Sequence, residues 1–433
     1  MSKNNKSHFA RKSLAQWLSY LETIHLTEID LGLTRISQVA KLLNIDFSFA
    51  QVITVAGTNG KGTTCAFIEN ALLVNNKTVA VYSSPHIERF NERLRINNMD
   101  VNDQSLIDAF EQIERHRNDI SLTYYEYTTL AAFLVLMVQK PEVIILEVGL
   151  GGRLDATNLI DADIAVITTI DLDHQAFLGD NRECIGFEKA GIMRTHQNVV
   201  IGDTDCPNSV LAHAKQLNAK VSLREGDFFV QQQPSMTDDS IQGLWSWQFG
   251  QQQVNALTKP NIPQDNVATA LTVLALLTDF SFDFTNESIN ALIDITKVAG
   301  RTELISDENL NGSVLLDVGH NPQAARYLAR YLQTLKYNKL YAVTGMLKDK
   351  DIINTFQPLF TLVDHWYLGG LSVPRGASAD ELVKQLPLNK DTTNCFDNIT
   401  QAFKLANEHS AAGDLILVFG SFYTVAEVRR LLV

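Results

Sequence analysis

The sequence predicts an α/β fold in two domains, each built on a mostly parallel sheet with crossover helices. Apolar strands alternate with helical stretches from residue 52 onward, which is the pattern of parallel strands joined by helices. The alternation begins again after residues 297–301, and 433 residues exceed what one hydrophobic core usually serves. We therefore expect a larger domain at residues 1–298 and a smaller one at residues 299–433.

The first domain opens with a predicted helix. Apolar residues at helical spacing between Leu14 and Ile24 predict an amphipathic helix over about residues 13–25. The less periodic residues 29–36 indicate a loop. Short apolar runs then predict five strands of the first sheet, at residues 52–56, 79–82, 143–148, 164–169 and 199–201.

Residues 203–263 differ in composition from the segments around them. Glutamine triplets flank the alternating Leu244 to Phe249, which predicts two short, peripheral β-strands. An apolar helix from Asn266 to Leu277 follows. In the second domain we expect strands at residues 314–317, 340–344, 365–368 and 415–419, with a helix from Pro322 and a final helix after the last strand.

The segment Gly57-Thr58-Asn59-Gly60-Lys61-Gly62-Thr63 follows the first predicted strand directly. Its glycines allow backbone N–H groups to converge on one anion, Lys61 can reach the outer phosphates, and a threonine hydroxyl can reach Mg²⁺. The strict pattern has Gly where this chain has Val55, and Ser or Thr where it has Gly62. We interpret the segment as a variant loop for a nucleoside triphosphate; the alternative is a glycine-rich turn without a ligand.

Polar residues follow the other predicted strands where each one ends. Ser84, Glu147 and His174 come after three of them, and the carboxyl ends of parallel strands are where ligands collect. A hydroxyl, a carboxylate and an imidazole can hold the Mg²⁺ of a bound nucleotide. Each also has a structural alternative: a turn residue for Ser84, an ion-paired carboxylate for Glu147 and a helix cap for His174.

Composition excludes several classes of partner. A net charge of −13 disfavours nucleic acid and anionic membranes, which both reward a basic surface. The longest apolar runs are too short to span a bilayer. Four scattered cysteines without metal-site spacing suit a reducing cytoplasm, where we expect the protein. We expect a monomer, because no coiled coil or apolar stripe stands out.

Five motifs occur in the order in which one family has them. They are residues 57–63, Ser83-Ser84-Pro85-His86, residues 146–158, Leu172-Asp173-His174 and Asp317-Val318-Gly319-His320-Asn321-Pro322. Together they resemble the bacterial dihydrofolate synthase/folylpolyglutamate synthase family of the Mur ligase superfamily. The resemblance covers essentially the whole chain. It implies a P-loop-type ATP-binding N-terminal domain and a smaller, Rossmann-like C-terminal domain that close over a cleft.

The resemblance implies an ATP-dependent ligase. A substrate carboxylate is phosphorylated by ATP, and the amine of L-glutamate attacks the acyl phosphate; the acceptors are dihydropteroate and tetrahydrofolates. By resemblance, Ser84, Glu147, His174 and Lys189 hold Mg²⁺, of which we expect two ions. Asn266, Arg301 and Asp317 complete the ATP site formed by the phosphate loop. The residues implied to be catalytic are Lys61, His174, Lys189 and His320.

Two further implications concern Lys189 and the acceptor. Lys189 matches a lysine that is carbamylated in the family; the alternative is a salt bridge with Glu188 or Glu183. The pterin-binding elements of the family are matched by three segments: Ile29, Asp30, Leu31 and Gly32; Thr123, Tyr124, Tyr125 and Glu126; and Leu154, Asp155 and Ala156. For Tyr124, Tyr125 and the neighbouring Tyr127, the alternative is packing in the hydrophobic core.

Three other functions would use part of the same sequence features. A cell-wall Mur ligase would carry a separate substrate domain of roughly 100 residues before the phosphate loop, and Gly57 leaves no room for one. A regulatory nucleotide switch would not need the second α/β domain or the Asp317 motif. A monofunctional ligase that performs one of the two glutamate additions stays open.

Overall fold

The computed structural model describes residues 12–25, 27, 29–232, 243–278 and 280–432. Its N-terminal part is built on an eight-stranded sheet with the order β4-β3-β2-β5-β1-β6-β7-β8. The six strands from β2 to β8 in this order are parallel, and β3 and β4 extend the edge as antiparallel strands. The strands are β1 (Gln51–Ala56), β2 (Val79–Tyr82), β3 (Leu94–Ile96), β4 (Met99–Asp100), β5 (Val143–Glu147), β6 (Ile164–Ile167), β7 (Asn198–Ile201) and β8 (Lys220–Leu223).

Two further sheets follow along the chain. A three-stranded antiparallel sheet, β11-β10-β9, consists of β9 (Phe228–Gln232), β10 (Trp245–Phe249) and β11 (Gln252–Leu257). The C-terminal domain has a six-stranded sheet, β12-β13-β17-β14-β15-β16, in which only the edge strand β12 is antiparallel. Its strands are β12 (Glu303–Ile305), β13 (Ser313–Asp317), β14 (Leu340–Thr344), β15 (His365–Gly369), β16 (Thr393–Phe396) and β17 (Leu415–Phe419).

Helices cover both faces of the two large sheets. In the described part they are α1 (Leu14–Leu21), α2 (Thr34–Leu42), α3 (Lys61–Val74), α4 (Asp103–His116), α5 (Tyr124–Gln139), α6 (Gln175–Leu178), α7 (Arg182–Ala190), α8 (Asn208–Gln216), α9 (Gln264–Leu276), α10 (Asn286–Ile295), α11 (Pro322–Leu332), α12 (Ile352–Phe356), α13 (Ala379–Gln385), α14 (Ile399–His409) and α15 (Phe422–Leu432). None of the helices in these residues is long and apolar enough to cross a membrane.

Alternation along β1 shows how the first sheet is buried on both faces. Val52 packs into a core with α1, α2, α4 and α5, whereas Ile53 and Val55 pack into a second core with α3, α9 and α10. Successive strand residues point to opposite faces, so a strand covered by helices on both sides is apolar throughout. This explains why short apolar runs were a sufficient signal for these strands.

The predicted α/β fold with two mostly parallel sheets is confirmed. All nine predicted strands of the two large sheets are present, with bounds that differ by at most two residues. The predicted helices at Asn266, at Pro322 and at the C-terminus are also present, as α9, α11 and α15. The domain limit at residue 298 stays a prediction.

Four local predictions were wrong. Residues 29–36 are not a loop throughout, because α2 starts at Thr34, and the first helix ends at Leu21 and not near residue 25. Residues 203–263 contribute α8 and β8 to the main domain, and the described part of the remainder has three strands, not two. This region is not peripheral either: Trp245 and Trp247 are fully buried in the core shared with α3 and α9.

Candidate active site

A cavity of about 280 Å³ lies where the carboxyl ends of the two large parallel sheets face each other. Both domains contribute to its lining. Every residue predicted for nucleotide, metal or catalysis lines it: Gly57, Thr58, Asn59, Gly60, Lys61, Gly62, Thr63, Ser84, Glu147, His174, Lys189, Asn266, Arg301, Asp317 and His320. The sequence therefore identified residues that the fold brings to one place.

The phosphate loop is shaped by two glycines and ends at a helix N-terminus. A Cβ atom on Gly57 would lie 1.9 Å from the Thr168 hydroxyl, so only glycine fits there. Gly60 has φ +87°, a conformation that favours glycine. It precedes α3, whose first turn has no side-chain cap. The free N–H groups at the start of α3 can therefore bind an anion.

Lys61 and Thr63 are held in position around this helix start. The Lys61 ammonium donates to the carbonyl of Gly57 at 2.9 Å. The Asn266 amide donates to the Thr63 hydroxyl at 2.8 Å, and that hydroxyl donates to the Gly60 carbonyl at 3.0 Å. Burial lowers the pKa of Lys61, and the Glu147 carboxylate opposes the shift. In this structure the Lys61 ammonium donates to a neutral carbonyl, and an anionic phosphate would stabilise its charge more strongly.

Glu147 and His174 are the strongest metal-ligating candidates. Glu147 ends β5 and is only 5% exposed; burial raises its pKa, while Lys61 and Arg301 act to lower it. His174 occupies the N-cap position of α6, but its side chain makes no capping hydrogen bond. Burial lowers the pKa of His174 to about 4, so its imidazole is neutral near pH 7 and can offer a lone pair.

The donor set fits an ion held jointly by protein and nucleotide. No group of three or more His, Cys, Asp or Glu side chains with metal-binding geometry occurs within the described ranges. Mg²⁺ in nucleotide sites takes only one or two protein carboxylates, and phosphate oxygens and water supply the rest. Ser84, Glu147 and His174 around one cavity match that requirement.

The C-terminal domain contributes a cation, a carboxylate and an imidazole. Arg301 stacks over Phe422, 5.0 Å from its ring centroid, and burial lowers the pKa of its guanidinium. Asp317 ends β13 and accepts the N–H groups of Thr302 and Gly319 at 2.9 and 2.8 Å. Burial nevertheless raises the pKa of Asp317, against the opposing effect of Arg301. Asp317 is buried, and Arg301 and His320 are half-buried.

Lys189 does not form the salt bridge that was the alternative to carbamylation. Glu188 pairs with Arg153 at 2.8 Å, and Glu183 accepts the N–H groups of Asn208 and Ser209. Lys189 is 3% exposed and has no acidic partner within salt-bridge distance in the part of the chain that is described. Burial and, secondly, Lys61 lower its pKa to about 7.

The three segments predicted to bind the pterin lie next to one another, outside this cavity. Arg35 joins two of them, with its guanidinium 2.6 Å from Asp30 and 3.3 Å from Glu126. The Tyr125 hydroxyl donates to Asp155 at 3.4 Å and connects the third. Tyr127, by contrast, is fully buried and packs in the core, as the alternative for the tyrosines expected.

A second, wider cleft of about 720 Å³ adjoins the cavity. His174 and His320 line both spaces. Ile29, from the first pterin segment, lies on the wall of this cleft, together with Lys350 of the C-terminal domain. The cleft thus extends from one predicted acceptor residue, Ile29, to the two histidines that also line the cavity.

Comparisons with known proteins agree with this arrangement. Residues 55–277 match the Mur ligase middle domain, and residues 300–422 match the Mur ligase glutamate ligase domain. Dihydrofolate synthase/folylpolyglutamate synthase of Haemophilus influenzae is 41% identical over 98% of both chains. The chain belongs to the dihydrofolate synthase/folylpolyglutamate synthase family of Mur ligases. As a member of that family, it is an ATP-dependent amino-acid ligase.

Solved structures of the family align over nearly the whole chain. One is Escherichia coli FolC in complex with DHPP and ADP, with a TM-score of 0.89, 40% identity, and coverage of 97% of this chain and 98% of that one. Another is a bifunctional folylpolyglutamate synthase/dihydrofolate synthase with Mn, AMPPNP and L-glutamate bound, with a TM-score of 0.87, 41% identity and the same coverage. The nucleotide and the divalent metal of the family thus agree with the donor set in the cavity.

Sequence reasoning missed several polar residues of this ligase fold. Asp173 pairs with Lys350 at 2.6 Å and with His320 at 3.5 Å across the domain interface. Burial acts to raise the pKa of Asp173. The hydrogen bond and charge of His320 and the charge of Lys350 outweigh burial and hold this pKa far below its usual range. Asp173 precedes His174 in the motif Leu172-Asp173-His174, and Lys350 lies in an Asp-Lys-Asp run. Neither pattern indicates that the two residues pair over a separation of 177 residues.

We expect Lys61→Ala to lower kcat by about 100- to 1000-fold, the usual effect of removing one group that stabilises transition-state charge. The measurement is phosphate release with saturating Mg·ATP, L-glutamate and dihydropteroate. Lys215→Ala, which removes an exposed lysine on α8, is the matched control and should retain the wild-type rate. A Lys61→Ala rate near wild type would contradict the assignment.

Proposed function

We propose that the protein adds L-glutamate to dihydropteroate, forming dihydrofolate, and to reduced folates, forming folylpolyglutamates. One observation carries the proposal: the phosphate loop and the predicted metal ligands share a cavity with Arg301, Asp317 and His320 of the second domain. A nucleotide switch needs the loop alone, whereas amide formation needs phosphoryl transfer and an amine in one closed space. The complexes of related proteins with DHPP, ADP and L-glutamate support the same substrates.

The chemistry explains why the site is cationic on one side. A carboxylate is a poor electrophile, and it is negatively charged, as ATP is. Phosphorylation turns it into an acyl phosphate, which the glutamate amine attacks with release of phosphate. Lys61 and Arg301 lie on the cavity wall, where they neutralise charge that develops on the transferred phosphoryl group.

We assign the other residues around that transfer. The loop Gly57–Thr63 with Asn266, Arg301 and Asp317 binds ATP, and Ser84, Glu147 and His174 hold Mg²⁺, which supplies further charge neutralisation when bound. His320 lines both the cavity and the cleft and is fixed by hydrogen bonding to the Val318 carbonyl at 2.9 Å. That position suits a group that orients the incoming amine.

The acceptor is proposed to bind beside the cavity, on the side where Ile29 lines the adjoining cleft. Ile29–Gly32, Thr123–Glu126 and Leu154–Ala156 would hold the pterin, with aromatic rings for its flat face. The Asp155 carboxylate is already engaged by the N–H groups of Gly149 and Leu150, at 3.0 and 2.8 Å. Its role would therefore be to shape the glycine-rich turn as well as to meet the ligand. We further propose that the protein works as a monomer in the cytoplasm.

We also propose that Lys189 is carbamylated and helps to hold a second Mg²⁺. A neutral amine captures CO₂ to give a carbamate anion, and burial without an acidic partner favours the neutral amine. The product would place an anion in the cavity that Lys61 also lines. The alternative is a lysine that contacts phosphate directly as a cation.

Chemical rescue separates the two roles of Lys189. We expect Lys189→Ala to lose turnover and to recover part of it with a short-chain carboxylate such as formate, which replaces the carbamate anion. Lys189→Arg keeps a cation but cannot form the carbamate, so it should stay inactive with and without formate. Activity of Lys189→Arg near wild type would instead establish the cationic role.

The overall activity is tested by phosphate release with Mg·ATP and L-glutamate. We expect release with dihydropteroate and with tetrahydrofolate, and none without an acceptor. Release with only one acceptor would assign a monofunctional ligase. Absence of acceptor-dependent release would exclude the folate function and favour the nucleotide switch.

A further inference from the structure

The phosphate loop is joined to the C-terminal domain by a reciprocal pair of side-chain amides. The Asn59 amide donates to the Asn321 oxygen at 3.1 Å, and the Asn321 amide donates back to the Asn59 oxygen at 3.0 Å. Asn59 lies in the loop after β1, and Asn321 lies at the start of α11, 262 residues further along the chain. We refer to these two residues as the Asn59–Asn321 pair.

Asn59 has no N–H group left to donate to a nucleotide. Its side-chain amide also donates to Gln323. Its backbone N–H donates to the Thr169 hydroxyl at 3.1 Å, and its carbonyl accepts from the Thr168 hydroxyl at 2.6 Å. All N–H groups of Asn59 therefore bind protein, and its side-chain amide donates to two residues of the other domain.

The side-chain oxygen and amide of Asn321 are also fully engaged in hydrogen bonds within the protein. Its side-chain oxygen accepts the Ala324 N–H at 2.9 Å and so caps α11, and its amide also donates to Asp173 at 3.2 Å. Asn321 is 3% exposed. Asp173 precedes the predicted metal ligand His174. One buried amide thus contacts the phosphate loop, a helix start and the segment next to the metal ligand.

We propose that Asn321 is a positioning residue, which holds the phosphate loop in its catalytic shape only while the C-terminal domain is docked. This inference rests on the proposed ligase function. Hydrogen bonds are directional and break within about an ångström of misplacement. Because both bonds of the Asn59–Asn321 pair cross the domain interface, separation of the domains removes them together. Phosphoryl transfer is thereby restricted to the closed enzyme.

The chain offers a matched pair of substitutions. Asn321→Ser keeps a good helix-capping residue but is too short to maintain the reciprocal contact with Asn59. Asn398 caps α14 through the Gln401 N–H at 2.9 Å, in the same domain and away from the cavity. Asn398→Ser therefore makes the same chemical change at the same kind of cap without touching the phosphate loop.

We expect Asn321→Ser to lower kcat by about 10- to 100-fold, as loss of alignment does. The Kd of Mg·AMPPNP should change less than about threefold, since the phosphate-binding groups of the first domain remain. Asn398→Ser should leave kcat unchanged. Asn59→Ser, which breaks the pair from the other side, should lower kcat similarly, and the double variant should lose little more than either single one.

Backbone hydrogen exchange tests the same contact without turnover. Amides of residues 57–64 should exchange faster in Asn321→Ser than in the wild type or in Asn398→Ser. Unchanged exchange in this segment, or an unchanged kcat, would overturn the proposal. If the wild type shows no acceptor-dependent turnover, the ligase function fails, and the exchange comparison still decides whether the pair holds the loop.

Discussion

Burial of opposite charges between two sheets is the constraint on which this site depends. Lys61 and Glu147 come from the first domain, and Arg301 and Asp317 from the second. Burial lowers the pKa values of the two cations and raises those of the two carboxylates, so desolvation disfavours every one of the four charges. Removing an ion from water costs several kcal/mol even after protein relaxation. A triphosphate offers anionic oxygens to the two cations and its metal offers positive charge to the carboxylates, so their binding should favour the docked arrangement of the domains.

The fold brings these charges together through strand ends. Glu147 and Asp317 are the last residues of β5 and β13, and the phosphate loop follows β1. Parallel strands start and end together, so each sheet presents one polar edge. The two edges face each other, and Asp173 joins them through Lys350 and His320. The predicted site residues, which come from distant parts of the sequence, thus meet at the ends of strands.

The strands and the phosphate loop were predictable because each is specified by residues that are adjacent in the sequence. The strands were apolar runs, and the phosphate loop was a strand followed by glycines and a lysine. The C-terminal motif at Asp317 identified the second half of the cavity by resemblance. What failed was local structure without such a signal: α2 lies in a short segment with mixed polarity, and the burial of Trp247 depends on α9 and on Phe284, which stacks on its ring at 5.4 Å.

The unpredicted part of the site consists of pairings across the chain. Arg35 to Glu126, Asp173 to Lys350 and Asn59 to Asn321 each join residues that are far apart in sequence. No periodicity or motif specifies which distant side chain meets which, because that follows from packing within the first domain for Arg35 and Glu126, and from the docking of the domains for the other two pairs. Family resemblance pointed to the motifs but not to the contacts between them. The structure therefore adds the side-chain contacts that join the residues of the two domains into one site.

Transfer of oxygen from the acceptor to phosphate tests the central claim most directly. Dihydropteroate labelled with heavy oxygen in its carboxylate would be converted in the presence of Mg·ATP and L-glutamate, and the released phosphate analysed by mass spectrometry. An acyl phosphate formed in the shared cavity predicts one labelled oxygen in each phosphate released. Phosphate without the label, at a normal rate of dihydrofolate formation, would contradict the proposed mechanism.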